Sequence, residues 1–204
     1  MTQDILNTSV REFVAATAAK QPTPGGGSVA GVVGALGTAL GEMALNFTIG
    51  KKKFAEHETF YATLAGRLQK SQAMFMTLVA DDMAAFGMYC DANAMSEGPE
   101  KTQASELALA AAIDVPREMT KLCLAVLSDL RGLADKCNPW LISDLVAGGI
   151  LAAATASLCD LNVRINAKNL EGPQRDEILA ASAADRKRAN VLAAEIEEMA
   201  KSSL

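Results

Sequence analysis

Two adjacent carboxylates, Asp81 and Asp82, stand inside an apolar run whose spacing predicts a helix. Asp82 falls on the same helical face as Phe86 and Tyr89, so at least one of the two carboxylates should face an apolar interior. A buried charge is costly there unless it has a partner or a raised pKa. Such carboxylates are over-represented at active sites, where they exchange protons or stabilise cations. An aspartate that only ties two helices together is an almost equally good interpretation.

A second polar set follows later in the chain. Ser143 and Asp144 open a segment in which Asp144, Asn162 and Asn166 fall close to one helical stripe. A carboxylate and two amides on an otherwise apolar helix could form the polar wall of a pocket. In the simpler alternative, Asp144 offsets the helix dipole and the two asparagines cap or cross-link helices.

The run Pro24-Gly25-Gly26-Gly27-Ser28 precedes a predicted helix. Glycines at a helix N-terminus can present backbone N–H groups to an anion. A tight turn between helices explains the same residues and is the favoured interpretation from sequence physics alone. The lysines at 51–53 follow Gly50 at a helix junction, where a solvated turn is expected and anion binding is the alternative.

These residues must be positioned by helices, because the chain is rich in Ala, Leu and Met and poor in aromatic residues. We predict an all-α bundle of long antiparallel helices that forms one domain over residues 1–204. A capping box is predicted at Ser9 and Glu12. The predicted helices cover about 9–20, from the glycines to 47, 53–93, 101–136 with a kink near Pro116, 138–169, and a polar C-terminal segment.

The helix after Ser28 carries Gly31, Gly34, Thr38 and Gly41 on one stripe. Glycine lowers helix stability, so a close helix approach or a ligand must offset its cost.

The charge, the cysteine spacing and the apolar segments of the sequence argue against several classes of protein. The net charge of −5 with interspersed signs argues against a nucleic-acid surface. The four cysteines lack Cys-x-x-Cys spacing, so no metal is expected. Residues 1–20 lack the apolar core of a signal peptide, which predicts a cytoplasmic protein. Residues 21–41 and 145–159 carry no charge, and we interpret them as buried helices rather than membrane spans.

Taken together, the motifs resemble the cyclodeaminase and cyclohydrolase family of formiminotransferase-cyclodeaminase, and within it the bacterial stand-alone methenyltetrahydrofolate cyclohydrolases. The resemblance covers nearly the whole chain in the same order. It is carried by Pro24-Gly-Gly-Gly-Ser28, Asn46-Phe-Thr-Ile-Gly50-Lys-Lys-Lys-Phe54, Asp81-Asp82-Met-Ala-Ala-Phe86, Asp114-Val-Pro116, Ser143-Asp144 and Asn162-Val-Arg-Ile-Asn166. One departure stands out: where the family shows Gly-Asn-x-Asn, this chain has Cys137-Asn138-Pro139-Trp140.

The resemblance implies an all-helical homodimer that binds a folate one-carbon substrate near the subunit contact and needs no cofactor. Asp82 and Asp144 are the implied catalytic pair, one as the proton-transfer group and the other as a partner of the pterin. Lys52 or Lys53 would meet the glutamate tail, Asn162 and Asn166 would orient the pocket, and Trp140 could stack on the pterin. The remaining candidate contacts are Pro24, Gly25, Gly26, Gly27, Ser28, Asn46, Asn138 and Ser143.

Three activities fit this resemblance. The first is hydrolysis of 5,10-methenyltetrahydrofolate to 10-formyltetrahydrofolate. The second is cyclisation of 5-formiminotetrahydrofolate with release of ammonia. The third is folate binding without catalysis, which Trp140 in place of an asparagine keeps open.

Overall fold

The computed structural model describes residues 5–201, and every regular element in that range is helical. This confirms the predicted all-α class. The α-helices are α1 (Val10–Ala18), α2 (Gly26–Asn46), α3 (Glu58–Ala94), α4 (Pro99–Leu133), α5 (Ile142–Asn166) and α6 (Gly172–Ala200). Short 3-10 turns occupy Ile5–Asn7, Lys52–His57, Pro139–Leu141 and Ala167–Asn169.

The N-terminal cap of α1 is the predicted capping box. The Ser9 hydroxyl accepts from the Glu12 backbone N–H at 3.2 Å, and the Ser9 backbone N–H donates to the Glu12 carboxylate at 2.8 Å. Two backbone donors of the first turn are thereby satisfied. The helix itself buries no residue, and Val10 and Val14 are exposed.

Helix α2 packs against α3 and α5, and its glycine stripe lies directly against neighbouring helices. A Cβ at Gly31 would lie 2.5 Å from Val79, and one at Gly34 would lie 2.6 Å from the Phe75 ring. These distances are too short for any residue with a Cβ, so the glycines allow α2 and α3 to pack at close range. The predicted close approach is therefore confirmed.

Helices α2 and α5 run antiparallel, and their backbones are in direct contact. Gly37 of α2 faces Gly148 of α5, and a Cβ at Gly148 would lie 2.7 Å from the Gly37 carbonyl oxygen. Thr48, after the end of α2, hydrogen-bonds the Asn138 backbone N–H just before α5 at 2.9 Å. The start of α2 therefore lies beside the C-terminal part of α5.

We expect Gly148→Ala to lower the free energy of unfolding by about 2 kcal/mol, because the new methyl group must push two helix backbones apart. The control is Gly66→Ala, at an exposed position in α3 where an added Cβ meets nothing within 4 Å. Urea denaturation of both variants measures the difference. Equal stability of Gly148→Ala and wild type would contradict the backbone contact.

The starts of α2 and α3 differ from the predicted ones. Helix α2 already begins at Gly26, so two of the three glycines lie inside the helix. The predicted helix from 53 begins as an α-helix only at Glu58, because Gly50 turns the chain at φ 76° and Lys52–His57 forms 3-10 turns. Hydrophobic spacing does not distinguish a 3-10 end from an α-helical one. Helix α4 continues through Pro116.

Two segments, Gly26–Asn46 and Pro139–Asn169, are long and apolar enough to cross a membrane by length and composition. About half of each is buried within the bundle, 56% and 50% of the most apolar window respectively. The core helices of soluble bundles have the same properties, so this is weak evidence for a membrane protein.

Candidate functional site

A cleft of about 800 Å³ opens at the end of the bundle where α2 begins. We call it the Asp82 cleft. Its walls come from the glycine-rich start of α2, from α3 and α4, and from the C-terminal end of α5 with the turn after it. The lining residues are Pro22, Thr23, Gly25, Gly26, Gly27, Asp82, Ala85, Phe86, Tyr89, Asn93, Ser105, Ala108, Leu109, Ala112, Val115, Asn162, Ile165, Asn166, Lys168 and Asn169.

The Asp82 carboxylate is the chemical centre of this cleft. It is partly buried on α3, whereas the neighbouring Asp81 is exposed, as the helical pattern predicted for one of the pair. The Ser28 hydroxyl donates to Asp82 Oδ2 at 2.8 Å. Burial raises the pKa of Asp82 above its ordinary range, and the hydrogen bonds from Ser28 partly oppose that rise. Such a carboxyl is better suited than an exposed aspartate to taking and returning a proton.

Gly27 makes room for that carboxylate. A Cβ at Gly27 would lie 2.0 Å from Asp82 Oδ1 and 2.5 Å from its Cγ. Helix α2 can therefore approach Asp82 only with glycine at this position. The glycine-rich run is thus both the start of α2 and the surface against which the Asp82 carboxylate packs. Pro24, just before it, is buried.

Asn162 and Asn166 come from the facing wall. Asn162 lies beside the glycines, since a Cβ at Gly26 would be 3.8 Å from its Oδ1. Its Nδ2 donates to the Leu158 carbonyl at 3.1 Å, and Nδ2 of Asn166 donates to the Ala112 carbonyl of α4 at 2.7 Å. Asn166 therefore cross-links α5 to α4 and also lines the cleft. The structure thus combines the two alternatives given for this residue, a cross-link between helices and a polar pocket wall.

Several lining residues were not among the predicted contacts. Tyr89 and Asn93 follow Asp82 along the same face of α3, and Ser105 and Leu109 lie opposite them on α4. The stripe through Asp82, Phe86 and Tyr89 was visible in the sequence, and continuing it to Asn93 would have found the α3 wall. The α4 wall carries no such signal, because its residues are small or aliphatic.

The other predicted contacts lie at the opposite end of the bundle, where α2 ends and α5 begins. We call this the distal end. Asn46, Lys52, Lys53, Ser143 and Trp140 are exposed there, with Trp140 at 87% exposure. Asn138 is buried and its side chain is used locally: Oδ1 accepts from the Trp140 backbone N–H, and Nδ2 donates to the Phe47 carbonyl.

Asp144 also belongs to the distal end. The 18 residues from Asp144 to Asn162 in α5 span about 27 Å at 1.5 Å per residue. The structure therefore does not bring Asp82 and Asp144 together within one chain. Trp140 is likewise too far away to stack on a ring in the Asp82 cleft of its own chain. Cys137, at the family's glycine position, is buried, and burial raises the pKa of its thiol.

Of the described residues that line the cleft, only Asp82 and Lys168 are charged. Cys159 lies near Asp82, but burial, assisted by the Asp82 charge, raises the pKa of its thiol to about 12. It is therefore a protonated core residue and a poor nucleophile. Within residues 5–201 no group of three or more His, Cys, Asp or Glu side chains is arranged to hold a metal ion. The donor set of the cleft is suited to proton transfer and hydrogen bonding.

We expect Ser28→Ala to raise the pKa of Asp82 further, because it removes the hydrogen bond that stabilises the charged form. A carboxyl ¹³C NMR titration of Asp82 in both proteins measures the shift. Thr155→Ala is the control, because its hydroxyl bonds only the Leu151 carbonyl within its own helix. An unchanged Asp82 titration in Ser28→Ala would mean that this hydrogen bond is not formed in solution.

The chain is similar in sequence to known proteins over most of its length. The family model for formiminotransferase-cyclodeaminase matches residues 9–185. A methenyltetrahydrofolate cyclohydrolase from Methylorubrum extorquens is 36% identical over 173 residues, which are 81% of this chain and 82% of that protein. A formimidoyltransferase-cyclodeaminase from Mus musculus is 30% identical over 82% of this chain, but the match spans only 32% of that longer protein.

A solved structure shows the same fold. The formiminotetrahydrofolate cyclodeaminase from Thermotoga maritima superposes with a TM-score of 0.87 at 27% identity, covering 97% of this chain and 98% of that one. With a family model that covers most of its length, this chain belongs to the formiminotransferase-cyclodeaminase family.

Proposed function

We propose that this protein is a methenyltetrahydrofolate cyclohydrolase that hydrolyses 5,10-methenyltetrahydrofolate to 10-formyltetrahydrofolate. The observation that carries the proposal is Asp82: within the described part of the chain it is the only carboxylate that lines the cleft, it has a raised pKa, and Gly27 makes space for it. The similarity to the Methylorubrum extorquens cyclohydrolase extends over most of both chains, which favours this activity over its alternatives.

The substrate's charge complements the cleft. The methenyl group is a cationic amidinium, in which one carbon joins N5 and N10 of the folate. An ionised Asp82 stabilises that cation electrostatically, and it does so more strongly in a partly buried site than in water. Phe86 and Tyr89 provide apolar surface for flat rings, and the amides of Asn93 and Asn162 provide hydrogen bonds to ring edges.

Hydrolysis requires a proton to leave the attacking water and a proton to reach the departing N5, and both atoms are bonded to the same carbon. Water attacks the amidinium carbon while Asp82 accepts one of its protons, which gives a neutral tetrahedral carbon carrying a hydroxyl group. The protonated Asp82 then gives that proton to N5 as the bond from carbon to N5 breaks. The hydroxyl proton leaves to solvent as the formyl group forms on N10. One proton is released per turnover, and Asp82 is regenerated as a carboxylate.

The second candidate is formiminotetrahydrofolate cyclodeaminase, the activity named for the Thermotoga maritima structure. This reaction also passes through a tetrahedral carbon between two nitrogens, so the same carboxylate serves it. The protonated formimino group on N5 is attacked at its carbon by N10. Asp82 takes the proton from N10 and returns it to the amino group formed by the attack, which leaves as ammonia while the cationic methenyl bridge forms.

The two activities are separated by giving the purified protein each substrate in turn. Cyclohydrolase activity lowers the methenyltetrahydrofolate absorbance faster than a buffer blank, whereas cyclodeaminase activity raises that absorbance from the formimino substrate and releases ammonia. We expect the first to have the larger kcat/KM. A larger value for the second would replace the proposal, and no turnover of either would favour folate binding without catalysis.

We further propose that the protein acts as a homodimer in the cytoplasm, free of membrane and nucleic acid. Support comes from the outer faces of α2 and α5, where Leu36, Ile150, Leu161 and Ile165 are each more than half exposed. A second copy related by a two-fold axis perpendicular to α2 and α5, near the middle of these helices, would cover this face. Because such an axis reverses the helix direction, the distal end of the second copy, with Asp144 and Trp140, would lie next to the Asp82 cleft of the first copy.

We expect Ile150→Glu to convert the dimer into a monomer, because two buried glutamates would face each other near the axis. Analytical ultracentrifugation of wild type and variant measures the mass. Glu198→Gln, an exposed change on α6, is the control. A wild-type protein that sediments as a monomer at micromolar concentration would overturn the dimer.

A further inference from the structure

The motif Asp114-Val-Pro116 has no part in the reaction above, although its proline lies inside a long helix that forms one wall of the cleft. Pro116 is buried within α4, and proline has no backbone N–H. In a regular α-helix that N–H donates to the carbonyl four residues earlier, which here belongs to Ala112. The Ala112 carbonyl therefore lacks its helical donor, and the proline ring crowds it away from the helix axis.

A side chain from α5 takes the place of the missing donor. Asn166 Nδ2 donates to the Ala112 carbonyl oxygen at 2.7 Å, and both residues line the Asp82 cleft. A backbone carbonyl without a donor inside a bundle costs free energy, so a side chain that reaches it is held firmly. Pro116 and Asn166 thus act as a complementary pair, in which one residue removes a donor and the other supplies it.

The same bond determines which end of the Asn166 amide faces the cleft. A carbonyl oxygen only accepts hydrogen bonds, so the amide must turn its nitrogen towards Ala112 and its oxygen away. Within residues 5–201 no group donates to Asn166 Oδ1, whereas every buried side-chain nitrogen or oxygen in that range has a partner. Oδ1 is therefore not buried, and it can accept a hydrogen bond from a molecule in the cleft.

Resting on the proposed function, we infer that Pro116 is a positioning residue: it leaves the Ala112 carbonyl free to hold Asn166, so that Asn166 Oδ1 accepts a hydrogen bond from an N–H group of the pterin ring. Asn162, whose Nδ2 is likewise bonded to a carbonyl, presents a second acceptor oxygen beside it. This wall favours ligands that carry N–H donors, as a pterin does on its amino group and ring nitrogens. Pro116 does not line the cleft, so its replacement weakens binding and leaves the proton transfers unchanged.

The test uses Pro116→Ala, which restores an N–H that competes with Asn166 for the Ala112 carbonyl. The NMR signal of the Asn166 side-chain amide is identified by its absence in Asn166→Ala, and its bonded proton should exchange with water at least tenfold faster in Pro116→Ala. In titration calorimetry, pteroic acid should bind about fivefold more weakly to Pro116→Ala and about tenfold more weakly to Asn166→Ala than to wild type. KM for methenyltetrahydrofolate should rise in the same proportions at constant kcat.

Val126→Ala is the matched control, because it removes buried carbon atoms from the same helix at a position outside the cleft. It should lower the stability while leaving the Asn166 signal and the affinity for pteroic acid unchanged. The double variant Pro116→Ala, Asn166→Ala should bind pteroic acid no more weakly than Asn166→Ala, since two changes that act through one hydrogen bond are not additive. A further fivefold loss in the double variant, or an Asn166 signal that Pro116→Ala leaves unchanged, would overturn the inference.

Two other outcomes separate this inference from the proposed function. If the Asn166 signal changes in Pro116→Ala but wild type and all variants bind pteroic acid equally, the contact with the pterin is wrong and the cyclohydrolase assignment stands. If wild type neither binds pteroic acid nor turns over methenyltetrahydrofolate, the proposed function and the pterin contact fail together. The NMR comparison then still decides whether Pro116 positions Asn166.

Discussion

Asp82→Asn should lower kcat for methenyltetrahydrofolate hydrolysis by about a hundredfold or more, because it removes both the proton acceptor and the negative charge opposite the substrate cation. The amide keeps the shape of the carboxylate, and its oxygen can still accept the Ser28 hydrogen bond. Asp81→Asn is the matched control, since it makes the same change one residue away on the exposed face. It should retain wild-type kcat.

Stability distinguishes loss of chemistry from loss of structure. Because the folded pKa of Asp82 is raised, the native state holds more protons than the unfolded chain between the ordinary aspartate pKa and the folded value. The free energy of unfolding therefore falls as pH rises through that window. Asp82→Asn removes this pH-dependent loss of stability, so the variant should melt at or above the wild-type temperature at neutral pH. A variant that is inactive and also less stable would instead point to a structural role.

The pH dependence of kcat/KM follows from the same raised pKa of Asp82. With Asp82 as the proton acceptor, kcat/KM should increase with pH through the raised pKa of that group, at a pH above the ordinary aspartate range. This acid limb should be absent from the residual activity of Asp82→Asn. Persistence of the limb in the variant would assign it to another group.

Gly27→Ala should lower kcat/KM by about a hundredfold, because its methyl group would lie only 2.0 Å from Asp82 Oδ1 and force the carboxylate away from its place. Gly66→Ala is the control, an exposed helical glycine with open space around it. It should keep full activity and gain about 0.5–1 kcal/mol of stability from the better helix propensity of alanine.

The double variant Gly27→Ala, Asp82→Asn shows whether Gly27 acts through the carboxylate. Two changes that act on one group are not additive, so the double variant should be no slower than Asp82→Asn alone. A further hundredfold loss in the double variant would mean that the methyl group obstructs the substrate instead.

The sequence was sufficient to predict the helices and part of the lining of the candidate cleft. The capping box at Ser9 and the small-residue stripe of α2 are local patterns, and both are present in the structure. Asp82 was found for the same reason: the spacing of its apolar neighbours places it on the inner face of α3. Spacing along one helix thus predicts which side chains face inwards.

Spacing along one helix does not predict which helix ends meet. Asp144 and Asn162 share a stripe on α5, yet about 27 Å of helix separates them, so one lies at the distal end and the other in the cleft. The α4 wall was missed for a related reason. Its small and aliphatic residues have no pattern of their own, and their positions become informative only when the facing wall from α3 is known.

The most direct test of this account follows methenyltetrahydrofolate absorbance with wild type, Asp81→Asn and Asp82→Asn at equal concentration, against a buffer blank for spontaneous hydrolysis. The account predicts a decay that saturates with substrate for wild type and Asp81→Asn, and a rate close to the blank for Asp82→Asn. A wild-type rate equal to the blank, or an Asp82→Asn variant as fast as wild type, would contradict the central claim that this cleft hydrolyses the methenyl group through Asp82.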